Sequence, residues 1–139
     1  MRRAGRFADV WMPYMVSPDS FARSLARARE FALHFEREPA ALAGALFIWG
    51  SIDADPGRAR REAIETVSRV YRQDFSPLAD RYLLHGDPDQ VTARLAEYAA
   101  AGASTVIFSP ACPPERSREV AELFAGTVLP RLPAMAQGT

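Results

Sequence analysis

GDPDQVTARLAEYAAAGASTVIFSP, residues 86–110, reads as one complete helix-to-strand unit. Asp87 or Asp89 can cap a helix, and Pro88 suits its first turn, where a missing N–H costs nothing. Val91, Leu95, Tyr98 and Ala99 then recur at helical spacing as one apolar face. Gly102 stands where the helix must stop, because glycine takes the left-handed conformation without penalty. Ser104 to Phe108 is a short β-branched and aromatic run, the mark of a buried strand, and Pro110 closes it. A helix that returns through glycine into a strand is half of a βαβ unit.

Working outward, the same alternation repeats. Upstream, Asp74 to His85 is irregular, holds Pro77 and the patch Tyr82-Leu83-Leu84, and reads as a connecting segment with a short helical turn. Before it, Asp53, Asp55 and Pro56 start a helix whose apolar face is Ala59, Ala63, Ile64, Val67, Val70 and Tyr71. Residues 44–52 are nearly all apolar, which predicts a strand buried on both faces. Ser17 and Pro18 open a helix to about Glu36, with Phe21, Leu25, Ala28, Ala32 and Phe35 inward. Residues 7–12, FADVWM, predict a first strand with no helix or turn before it. Downstream, Pro113 and Pro114 start a last helix with Val120, Leu123, Phe124 and Val128 inward. Pro130 and Pro133 end it, and residues 134–139 should fray. The order β-α-β-α-(α)-β-α predicts an α/β fold with about three parallel strands and flanking helices, within one domain over 1–139.

Composition narrows the function. The chain has 139 residues, enough for one domain with a core, and 17 basic residues balance 17 acidic ones. Zero net charge gives no global electrostatic case for nucleic acid or an anionic membrane. Every basic residue is arginine, which excludes lysine chemistry such as a Schiff base. One cysteine, Cys112, excludes an internal disulfide and a cysteine metal cluster. No apolar run approaches the roughly 20 residues of a membrane span, and the N-terminus lacks the apolar core of a secretory signal, so a cytoplasmic location is expected.

Three separated stretches resemble one family. RRAGRFADVWMP, from Arg2, resembles the arginine–alanine–x–x–aspartate–glycine–tryptophan strand of luciferase-like monooxygenases. HGDPDQVTARLAEYAAAGASTVIF, from His85, resembles that family's glycine–x–proline–x–x–valine helix and last barrel strand. LFAGTVLPRL, from Leu123, resembles its final helix. The resemblance implies the C-terminal part of a (β/α)₈ TIM barrel, a fold of about 250 residues or more. It further implies FMN or the deazaflavin coenzyme F-420 as cofactor, and oxidation or monooxygenation of a small organic substrate. In that family a glycine-rich phosphate loop lies just before the arginine–alanine motif; here that position falls before Met1, so the segment is expected to be incomplete for catalysis alone. Val10 replaces the usual glycine before Trp11, which is expected to crowd the strand end.

Barrel chemistry lies at the C-terminal ends of strands. Those ends nominate Trp11, Pro13 and Ser109 as cofactor-binding residues and leave the catalytic residues unassigned. Trp11 serves equally as core packing, and Ser109 as a plain turn. Asp9 reads as a structural partner of Arg3 or Arg6. Asp53 and Asp55 read as helix caps rather than metal ligands. His34 and His85 have no partner near in sequence, and nothing in sequence depresses the pKa of Cys112. Arg58, Arg60 and Arg61 read as a solvated helix surface. Two further readings stand beside the oxidoreductase. One is a non-catalytic half-barrel that forms a homo-oligomer through its sheet edges; the other is a small α/β binding domain.

Overall fold

A computed structural model describes residues 1–132. Pro133 and the tail expected to fray lie outside the described residues.

Local signals set most of the elements. Ser17 accepts the amide of Ser20 and Pro18 takes the first position of α2, Pro18–His34. Phe21, Leu25, Ala28 and Ala32, spaced by four, three and four residues, form its fully buried stripe. The helix stops at His34 because Glu36 turns left-handed (φ 56°) and the Arg37 amide reaches back to the Ala32 carbonyl. Asp55 accepts the Gly57 amide and Pro56 opens α3, Pro56–Tyr71, so the capping reading of Asp55 holds. A short helix, Ala79–Tyr82, comes next; since α1 precedes both, these are α3 and α4. In α5, Pro88–Ala100, Asp87 is the cap: its carboxylate accepts the Gln90 amide while the Gln90 side chain accepts the Asp87 amide. Gly102 ends this segment at φ 100°, where a side chain would be strained.

The sheet has four strands: β1, Val10–Trp11; β2, Ala43–Ile52; β3, Leu84–Gly86; and β4, Ala103–Pro110. All three others pair with β2. β1 runs parallel to it with Val10 opposite Ala43, and β3 runs parallel with Ser51 opposite His85. After β4 come a 3₁₀ turn, Pro114–Arg116, and α6, Ser117–Leu123. A π-helical stretch, Phe124–Val128, follows and turns Phe124 and Val128 inward with Val120.

Several expectations need correction. Residues 7–12 are not one strand: Arg2–Phe7 form helix α1, and only Val10–Trp11 pair as strand. No capping side chain marks α1, so its signal is tertiary. A Cβ on Gly5 would lie 2.7 Å from the Ala28 carbonyl oxygen and the Ala32 nitrogen, so glycine alone lets α1 lie this close to α2. Arg37 donates through Nη1 to the Gly5 and Ala8 carbonyls, both at 2.9 Å, and satisfies the helix end. β3 was read as connection, because three residues carry no period. Finally, β4 is not buried throughout: Ala103 is buried, whereas Thr105 and Ile107 on the same face are exposed. Val70 and Tyr71 likewise leave the α3 face and are exposed.

The chain groups into two compact units. One joins Met1–Phe47 with Glu97–Ile107, and the other joins Ile48–Ala96 with the stretch from Phe108 onward. Each has its own core: Phe21, Leu25, Leu42, Leu46 and Tyr98 in the first, and Ile52, Val67, Leu84, Val91, Leu95 and Val120 in the second.

Candidate functional site

In the first unit, aromatic side chains divide between core and surface. Trp11 is half-buried and its ring lies 5.3 Å from that of Phe21, which meets Tyr98 edge-on at 6.3 Å. The Tyr98 hydroxyl donates to the Val16 carbonyl at 2.6 Å, so the buried polar tip is satisfied. Trp11 is therefore tied into the core layer. Around it the apolar surface stays open: Val10 is 54% exposed, Met12 51%, Tyr14 45% and Ile107 45%. Val10 meets open space, not the crowding expected of it. Tyr14 leans on Phe47 at 5.6 Å, and Pro13 is half-buried between Met12 and Tyr14. Asp9 pairs with Arg37 at 3.2 Å, not with Arg3 or Arg6.

The second unit carries the strand ends where polar groups collect. Arg116 is buried and enters three carboxylates. Its Nη1 donates to Glu62, Nη2 donates to Asp53 at 2.8 Å, and Nε donates to Glu119 at 3.2 Å. Ser51, fully buried in β2, donates to the second shared oxygen partner, Glu62 Oε2, at 3.0 Å. Arg58 closes the network on Glu62 and Asp53. The hydrogen bonds that Arg116 donates to Glu119 and then to Glu62 raise its pKa, and Arg116 in turn lowers that of Glu119. Every carboxylate oxygen of Asp53, Glu62 and Glu119 accepts from a donor, so the network fixes the end of β2 to the start of α6. Asp53 is therefore not a cap of α3, as expected of it: it accepts the Asp55 amide and pairs with Arg116 and Arg58. Arg58, Arg60 and Arg61 are each ion-paired, to Asp53 and Glu62, Asp80 and Asp55 respectively, which corrects their reading as a merely solvated surface.

Beside this network lies a cleft of about 410 Å³ lined by residues including Arg60, Asp80, His85, Gln90 and Arg94. His85 Nε2 lies 3.0 Å from Asp80 Oδ1, and Arg60 grips both oxygens of Asp80. Burial lowers the His85 pKa more than Asp80 raises it, so the imidazole is neutral near pH 7. The Arg60 hydrogen bond holds the Asp80 carboxyl below the usual range. A neutral imidazole oriented by a carboxylate can pass a proton. Sequence offered no partner for His85, because Asp80 reaches it across the bend between α4 and β3. Ser109 is half-buried near the end of β4. Cys112 is buried and its pKa is raised, mainly by burial, which leaves the thiol protonated and inert. Among the described residues no helix is long and apolar enough to cross a membrane.

No family model matches the sequence, and neither does any curated protein sequence. Solved structures do. The F-420-dependent tetrahydromethanopterin reductase of Methanopyrus kandleri is 19% identical with a TM-score of 0.72, over 95% of this chain and 48% of that one. An F-420-dependent secondary alcohol dehydrogenase is 16% identical with a TM-score of 0.77, over 95% and 45%. A type II Baeyer–Villiger monooxygenase from Pseudomonas putida, solved with FMN, is 19% identical with a TM-score of 0.67, over 95% and 45%. The chain has the fold of part of these enzymes. It spans about half the length of the solved chains it matches. The resemblance to luciferase-like F-420 and FMN enzymes, and to a partial barrel, is thus borne out in the fold, four strands replacing the expected three.

Proposed function

We propose that this chain is the C-terminal segment of a luciferase-like flavin- or F-420-dependent oxidoreductase, acting in the cytoplasm on a small organic substrate. The observation that carries the reading is the open apolar surface of the first unit, Val10, Met12, Tyr14 and Ile107, in a chain with this fold. Its chemistry suits a flat, largely apolar ring: Met12, Pro13 and Tyr14 offer contact area, and Trp11 stiffens the strand from behind. Within the second unit, Ser109 is a separate proposed cofactor-binding residue. The bound cofactor would supply hydride or oxygen chemistry. The chain's own part is to hold the ring and keep water from it. Because the chain spans half the length of the enzymes it matches, the proposal includes that it does not turn over alone.

A fluorescence titration of the purified chain with FMN and, separately, F-420 tests this. Saturable micromolar binding to one of them supports the reading and identifies the cofactor. No binding to either at millimolar concentration overturns it. The same exposed residues favour a second reading, a half-barrel remnant covered by another copy of itself. A solution mass twice that of the chain, with no cofactor bound, would favour that remnant, and a monodisperse monomer would remove it.

A further inference from the structure

The arginines of the first unit are unevenly spent. Arg37 and Arg29 are engaged: Arg37 at the end of α1 and on Asp9, and Arg29 through Nε on the Leu42 carbonyl at 3.1 Å. Arg2, Arg23 and Arg27 are different. They line one groove of about 690 Å³ with Glu30, Phe31 and His34. None of the three has a carboxylate within ion-pair distance among the described residues, although Glu30 lines the same groove. Arg23 spends one donor on the Ser20 hydroxyl at 3.2 Å, and Arg2 stacks over the Phe35 ring at 5.7 Å.

Their convergence is built by the fold. Arg23 and Arg27 are four residues apart on α2 and so share one face of that helix. Gly5 brings α1 within van der Waals contact of α2, and this sets Arg2 against the same face. Stacking on Phe35 then restricts the Arg2 side chain. Phe31 and His34 continue the groove along α2 with a ring surface. Three guanidinium groups against one carboxylate leave the groove net positive. Each guanidinium presents a fork of N–H donors that matches phosphate oxygens in pairs.

We propose that this groove binds a small phosphate-bearing ligand with an aromatic ring, of the nucleoside diphosphate class. The phosphates lie on Arg2, Arg23 and Arg27, and the ring lies along Phe31 and His34. The site is separate from the proposed flavin surface, so either can fail without the other.

Isothermal titration of the whole chain with ADP, pyrophosphate and adenosine separates the parts. ADP should saturate, pyrophosphate should bind several-fold more weakly, and adenosine alone should not bind. Affinity for ADP should fall at least tenfold between 50 mM and 500 mM salt. The double variant Arg23→Gln/Arg27→Gln should weaken ADP at least tenfold. Arg118→Gln, which alters a largely exposed arginine on α6, should leave it unchanged. Both altered arginines on α2 are exposed, and each single variant should give a smaller loss in the same direction should the double variant not fold. No saturation by ADP or pyrophosphate at millimolar concentration would overturn the proposal. So would ADP binding that the double variant leaves intact. Equal binding of ADP and pyrophosphate would overturn the part assigned to Phe31 and His34.

Discussion

The Arg116 network and the Met12–Tyr14 surface are opposite solutions to the same problem. At Arg116, a buried guanidinium and the buried Glu62 have been given partners: they bond each other, and Asp53, Glu119, Ser51 and Arg58 complete the set. At Met12 and Tyr14, apolar surface is left exposed to solvent. A buried charge that lost its partner would be expensive, so such networks are complete or absent. An exposed apolar side chain costs little by itself, so it is free to serve a contact made later. The saturated site is therefore architecture, and the open one is where the proposed cofactor contact lies.

The sharpest way to break that contrast is Arg116→Ala. It takes the buried guanidinium from Glu62 and Asp53 and leaves them only the half-exposed Arg58 as a cation, so a loss of about 3 kcal/mol is expected by urea unfolding. A loss below about 1 kcal/mol would show that water reaches the network and that it is not architecture. Gly5→Ala comes next. Its Cβ meets α2 backbone atoms rather than a flexible side chain, so about 1–3 kcal/mol should be lost. At the open surface the expectation reverses: Ile107→Ser should change stability by no more than about 0.5 kcal/mol. It should nevertheless weaken FMN or F-420 binding in the fluorescence titration. A large stability loss there would mean the surface is core after all.

The smallest effect concerns His85, which is half-buried yet titratable. Its folded pKa lies below the ordinary histidine value, so the unfolded chain binds its proton more readily. The resulting stability is fully present above the unfolded pKa, near 6.5. It is lost progressively as pH falls from there through the folded value. Comparing thermal midpoints at pH 7.5 and pH 5, wild type should drop further than His85→Gln. Equal drops would mean that other groups, such as the acid-shifted Asp80, carry the pH dependence instead.

Much of the fold was legible because local chemistry agreed with the tertiary outcome. Ser17-Pro18, Asp55-Pro56, Asp87 and Gly102 mark helix ends by side-chain capping or positive φ, and such signals need no distant partner. The three motifs with their spacing pointed to the same barrel segment that the solved enzymes contain. The misreadings share a cause. Helix α1 has no cap and exists because Gly5 fits α2 and Arg37, some thirty residues away, closes its end. Thr105 and Ile107 look like core by composition, but which face of a strand is covered depends on what packs there. Glu62, Asp53 and Arg116 are ordinary charges on three separate segments, and nothing local says that they meet. Likewise, Asp80 and His85 are five residues apart, and only the bend into β3 makes them a pair.

What the sequence by itself determined was where helices begin and end and that strands alternate with them, because backbone capping, glycine conformation and hydrophobic period are short-range effects. What only the tertiary structure decided was which arginines are spent and which are open, which aromatic side chains are core and which are surface, and which carboxylates are buried. Those outcomes depend on distances between residues far apart in the chain, and Coulomb energy, desolvation and packing all take their size from such distances.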